Sequence, residues 1–93
     1  MKRYIKSNTT KYLYEDSTVR IAEYVSPDKV VVYHYTDYAT PHGRPATDWL
    51  CAGLWRKYPD NLWYKWNTIV GGKLSEEGAA TFEDIASMVK AGV

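Results

Sequence analysis

The sequence predicts an α+β domain: a three- or four-stranded antiparallel sheet with a C-terminal helix packed on one face. Three observations carry that prediction. Two runs rich in β-branched and aromatic residues, 18–25 and 29–35, flank Ser26-Pro27-Asp28-Lys29. A third run, 62–70, alternates in side-chain character. The last fifteen residues carry an apolar stripe at helical spacing with start and stop signals at its ends. The chain has 93 residues, 45% of them apolar and 25% charged, which suits one folded domain over 1–93 with one core.

The first two runs read as a β-hairpin. Pro27 presets φ for the first central position of a tight turn and Asp28 suits the second. With Ser26 facing Lys29, Tyr24 faces Val31, Ala22 faces Tyr33 and Arg20 faces Tyr35. Ile21 with His34, Glu23 with Val32 and Val25 with Val30 then lie on the other side. A bulge at the turn would shift this register, because a type I turn splays a two-residue hairpin. A short strand around Lys11–Tyr14 is expected at the edge, with Asp16-Ser17 turning into the hairpin.

The run 62–70 places Leu62, Tyr64, Trp66, Thr68 and Val70 on one face, read as core. Trp63, Lys65, Asn67 and Ile69 fall on the other, read as half solvated, and Gly71-Gly72 ends the strand. At the C-terminus, Thr81 is the expected N-cap, Glu83 and Asp84 complement the first turn, and Lys90 the last. Phe82, Ile85, Ala86 and Val89 form the stripe. So short a helix needs a surface to pack on, and the sheet supplies it.

Residues 47–58 read two ways. As a helix, Thr47 caps it, Leu50 and Leu54 lie one turn apart, and Asp48 and Arg56-Lys57 sit at the proper ends. As a strand, Trp49, Cys51, Gly53 and Trp55 share a side. Length and end charges favour the helix. The loop 39–45, with Pro41, Gly43 and Pro45, belongs to neither reading.

Composition excludes several functions. A single Cys excludes an intramolecular disulfide framework, and with two His it excludes a Cys-rich zinc module. No window approaches the roughly 18 apolar residues of a membrane span. No apolar stretch follows the basic start, so a reduced, cytoplasmic setting is expected. The net charge of +1 provides no global field for nucleic acid or membrane. The charge is unevenly spread, however: Lys2, Arg3, Lys6 and Lys11 precede any acid, whereas Glu76, Glu77, Glu83 and Asp84 outweigh Lys90 after residue 73. Gly71-Gly72-Lys73-Leu74 lacks the length and hydroxyl of a phosphate-binding loop. Neither a nucleophile elbow nor a His-Glu-x-x-His pattern occurs, Cys51 reads as a small buried hydrophobe, and no cofactor is expected. His34, Asp37 and His42 are weak candidates for a metal or acid–base group. Histidine in a strand or loop more often serves as an ordinary hydrogen-bonding residue.

The aromatic content is the feature that points to function. Nine Tyr, four Trp and one Phe make 15% of the chain. Four indoles overfill so small a core, and Tyr and Trp favour half-exposed surfaces because each joins an apolar body to one polar atom. The expected binding residues are Arg20, Tyr33 and Tyr35 as one aromatic–cationic cluster, Trp63 with Lys65 on the solvated side of its strand, and Arg56 with Lys57. The expected function is a small non-catalytic protein that occupies a partner protein's surface, for instance a phage or mobile-element accessory protein inhibiting a host defence enzyme. The alternatives are an aromatic platform for single-stranded nucleic acid or a nucleotide, a homodimer contact, and, last, a His-dependent enzyme or metal-binding protein.

Overall fold

Val25, with φ of 68°, turns the hairpin, two residues ahead of the Pro27-Asp28 turn that the sequence suggests. The computed structural model describes residues 11–93, so the basic positions Lys2, Arg3 and Lys6 lie outside the described residues. Strand β2 (Val19–Tyr24) runs into β3 (Ser26–Ala39) with Tyr24 opposite Ser26 and a bulge between Glu23 and Tyr24. The resulting register pairs Arg20 with Tyr33, Ile21 with Val32 and Ala22 with Val31. Against the expected register this is a slip of two residues, which changes partners but keeps every side chain on its expected face. Pro27 precedes the first pairing of β3 with β4, Lys29 with Arg56, where no ladder hydrogen bond is asked of its nitrogen.

Four further strands complete one antiparallel sheet, each beside its sequence neighbour: β1 (Tyr12–Glu15), β4 (Pro45–Lys57), β5 (Trp63–Asn67) and β6 (Gly72–Lys73). The sheet therefore has six strands rather than three or four. One helix, α1 (Phe82–Lys90), follows at the C-terminus, and the α+β class stands.

Residues 47–58 are strand, which corrects the helical reading. The end charges that favoured a helix are worth tenths of a kcal/mol each, whereas β4 gains eleven pairings with β3. Its alternation was hidden by a bulge: Val32 faces Gly53 but Tyr33 faces Cys51, so Ala52 is the extra residue. The bulge reverses parity along β4. Trp55 and Gly53 follow Val30 and Val32 to the helix side, while Cys51 and Trp49 follow Tyr33 and Tyr35 to the opposite side.

β5 is shorter than expected and turns its other face to the helix, although Tyr64, expected in the core, is buried as well. Asn67 accepts the Ile69 and Val70 amides through its side-chain oxygen at 2.8 and 3.2 Å, ending the strand in a turn that leaves both apolar side chains in solvent. Trp63, expected on a solvated face, is buried, with its ring 5.5 Å from Phe82 of α1. The segment preceding the helix causes this. Ala79 and Trp63 exchange backbone hydrogen bonds of 2.8 Å in both directions, drawing α1 over the Trp63 face. Gly78 permits the approach, since a Cβ there would stand 2.6 Å from Leu62 Cβ and 2.8 Å from Tyr64 Cζ.

The helix caps as expected: Thr81 Oγ1 accepts the Asp84 amide, and the Asp84 carboxylate accepts the Thr81 amide. Ile85, Ala86 and Val89 meet Val19, Ile21, Val30, Val32, Trp55 and Trp63, and this one-sided layer is the core. The helix thus covers one face of the sheet and leaves the other open among the described residues. β3 and β4 also outrun their neighbours. β2 begins at Val19, opposite His34, and the pairing of β5 with β4 stops at Trp66, opposite Leu54, so the pairs from Tyr35 with Trp49 to Ala39 with Pro45 form a projecting two-stranded ribbon about 16 Å long.

Candidate functional site

The sheet face opposite α1 gathers alternate residues of all six strands, and its side chains are mainly aromatic rings and cations. Two clusters share it.

The first is built around Arg20. Its guanidinium carbon lies 4.0 Å from the centroid of Trp49 and 5.4 Å from that of Tyr12. Its Nε donates to Glu15 Oε2 at 2.8 Å, which orients the guanidinium plane. Tyr35 packs on Trp49 with ring centroids 5.3 Å apart and a tilt of 49°. Beside this stack lies a hollow of about 460 Å³, walled by Tyr12, Arg20, Tyr24, Tyr33 and Trp49, with Ala22 and Val31 as floor and Glu23 at the rim. Desolvation of the Tyr33 hydroxyl raises its pKa, so at neutral pH it is an uncharged group able to donate or accept a hydrogen bond. The bulge at Ala52 makes this cluster, because without the parity change Trp49 would point to the helix side.

The second cluster lies on β3 to β6. Lys29 Nζ and the Arg56 guanidinium carbon each stand 5.3 Å from the Trp66 centroid. Lys73 Nζ lies 4.2 Å from the Tyr64 ring and 5.2 Å from Tyr58, and Tyr58 meets Tyr64 edge-on at 5.2 Å. The Tyr64 hydroxyl donates to Asp60 at 2.6 Å, a bond that lowers the Asp60 pKa and raises that of Tyr64. A cation–π contact on a half-exposed ring such as Trp66 contributes about 0.5–1 kcal/mol.

Of the residues singled out from sequence, Arg20, Tyr33 and Tyr35 come together in the first cluster, and Arg56 belongs to the second. Trp63 is core. Lys65 pairs with Trp55 and Lys57 with Trp63, so both belong to the helix side of the sheet, and the Lys65 stem crosses over Gly53. Cys51, expected buried, is exposed on the aromatic face. His34 stands opposite Val19 on the helix side, Asp37 accepts the Thr47 hydroxyl at 2.6 Å out on the ribbon, and His42 is exposed at the ribbon tip. The three are thereby separated, and no group of three or more His, Cys, Asp or Glu placed for a metal occurs among the described residues.

Trp49, Trp66, Tyr12, Tyr24, Lys29 and Lys73 were not singled out by sequence reasoning. The strand reading of 47–58 puts Trp49 and Trp55 on one side, and only the bulge at Ala52 separates them. For Lys29 the signal was the two-residue periodicity shared with Val31, Tyr33 and Tyr35. Among the described residues no helix is long and apolar enough to cross a membrane. Comparison of the chain with family models, curated proteins and solved structures gives no match.

Proposed function

We propose that the protein is a non-catalytic binding module that occupies the surface of a partner protein with its aromatic–cationic sheet face. Inhibition of a host enzyme by a phage or mobile-element accessory protein is one form such occupancy would take. The observation that carries the reading is the stack Arg20–Trp49–Tyr35 beside an open hollow. Arg, Trp and Tyr are the residue types that dominate interface energetics, and here they are already packed against one another, so little side-chain freedom remains to be lost on binding. The same stack weighs against an aromatic platform for single-stranded nucleic acid. Base stacking needs open ring faces, whereas Arg20 and Tyr35 lie against Trp49, and Lys29 and Arg56 against Trp66.

The test is affinity capture by the tagged protein from host lysate, with and without nuclease, repeated with Trp49→Ala and Tyr35→Ala. The expected result is a discrete protein partner retained after nuclease and lost with either variant, while both variants keep the native circular dichroism spectrum. Truncating an anchor of this type costs about 2 kcal/mol or more, roughly thirtyfold in affinity. Capture that disappears with nuclease, or that neither variant changes, refutes the reading.

A further inference from the structure

The second cluster has a charge pattern that the first lacks. Lys29 and Arg56 are directly opposed across β3 and β4, and Lys73 is opposite Trp66 on the neighbouring strands. Like charges directly opposed in a sheet repel. Arg20 is paired with Glu15 and Lys90 with Asp16, and these are the ion pairs within 4.0 Å among the described residues. Lys29, Arg56 and Lys73 therefore have no carboxylate at pairing distance there. The acids that feel them, Asp28 for Lys29 and Arg56 and Asp60 for Lys73, are held mainly by the hydroxyls of Ser26 and Tyr64. Aromatic rings, not acids, hold these three cations on one face.

We infer that this cluster receives a short acidic segment of the protein partner, its carboxylates meeting Lys29, Arg56 and Lys73. The inference rests on the reading of the face as a protein-binding surface. Carboxylates on these cations would relieve the repulsion between Lys29 and Arg56, and the rings beneath already hold the cations in position. A nucleic-acid strand fits less well. Trp66, Tyr58 and Tyr64 each carry a cation over the ring, and a phosphate chain leaving the cluster toward β1 meets Glu15, the carboxylate paired with Arg20. Lys29 and Tyr33 are four residues apart on β3, about 13 Å, and that is the separation required between the partner's acidic segment and the group it seats in the hollow.

The experiment measures fluorescence anisotropy of labelled hexaglutamate, with labelled hexalysine and a labelled twelve-residue oligothymidine as parallel probes, at low ionic strength. The proteins are the wild type, Lys29→Gln/Arg56→Gln, and Lys57→Gln, which removes an exposed cation from the helix side of the sheet. Saturable hexaglutamate binding is expected, reduced at least about tenfold by the double substitution and unchanged by Lys57→Gln, with hexalysine not binding. All three proteins should keep the wild-type melting transition to within a few degrees, since the altered side chains are half-exposed or exposed. Absence of saturable hexaglutamate binding overturns the inference, as does equal binding by the double variant. Oligothymidine bound more tightly than hexaglutamate and lost with the same double variant also overturns it, in favour of phosphate. Partner capture that survives while hexaglutamate fails removes the acidic segment alone. Loss of capture with intact hexaglutamate binding removes the protein-partner reading and leaves the cluster's preference for carboxylates.

Discussion

Removing the Asp16 carboxylate should destabilise the fold by more than any other single exposed or half-exposed acid. Asp16 sits in the turn between β1 and β2. One oxygen accepts the Thr18 and Val19 amides, both at 2.8 Å, and the Thr18 hydroxyl at 3.4 Å. The other accepts the Tyr14 hydroxyl at 2.6 Å and Lys90 Nζ at 2.9 Å. A single carboxylate thus closes the turn, orients a tyrosine packed on the core and ties the end of α1 to the sheet. Each amide or hydroxyl bond to the charged group contributes about 1 kcal/mol net, and the solvent-screened Lys90 pair about 0.5 kcal/mol. Water recovers part of this once the side chain is gone, so Asp16→Ala should cost about 2–3 kcal/mol, lowering the melting temperature by roughly 10–20 °C. Lys90→Ala should cost only about 0.5 kcal/mol.

The pH dependence has a definite sign. The Tyr14 hydroxyl bond, and after it the Lys90 bond, lower the Asp16 pKa in the folded state. The unfolded carboxyl titrates near 3.9, so the contribution is complete above that value and is lost as pH falls below it. Thermal melts followed by circular dichroism between pH 7 and pH 2 measure both effects, and Asp16→Ala should flatten part of the acid-side slope. A cost for Asp16→Ala below about 0.5 kcal/mol, or equal to that of Lys90→Ala, would refute the view that the carboxylate organises the turn.

Two further substitutions probe the backbone and the core. Val25 holds φ of 68° and is 84% exposed. A β-branched residue there costs about 1–2 kcal/mol, so Val25→Asn should stabilise by about 1 kcal/mol in chemical denaturation, and a neutral or negative result would show that the turn is not strained. Trp63→Ala should cost about 3–5 kcal/mol because the indole is core packed against Phe82. The opposing outcome is an unchanged denaturation midpoint with binding alone impaired, as expected of a surface anchor. Trp49→Ala, by contrast, should cost less than about 2 kcal/mol of stability and act on binding.

The legible parts of the fold are those written in short-range chemistry. Thr81, Asp84 and Lys90 mark the helix because capping and dipole interactions act within one turn. The β-branched residues of β2 and β3 mark a hairpin because pleated backbone suits them, and their two-residue period places Arg20, Tyr33 and Tyr35 on one face whatever the register. The turn itself was misread. Pro27 and Asp28 are good turn formers in isolation, yet the pairing of long strands outweighs local turn preference and leaves Val25 in the strained position. β4 was misread for a related reason. The extra residue Ala52 interrupts its two-residue period, and without the period only end charges remain to be read.

From the sequence alone follow the α+β class, the helix and its cap, the hairpin, and an aromatic excess too large for the core. Tertiary structure decided which aromatics are surplus. Trp55 and Trp63 lie beneath α1, while Trp49 and Trp66 lie on the open face, and no local pattern distinguishes them. A strand's two faces are equivalent until something packs on one of them. Here the Ala79–Trp63 bridge draws the helix to one side of β5, and the bulge at Ala52 turns Trp49 to the other. Both choices depend on contacts between segments far apart in the chain, and those contacts come into being only when the sheet is assembled.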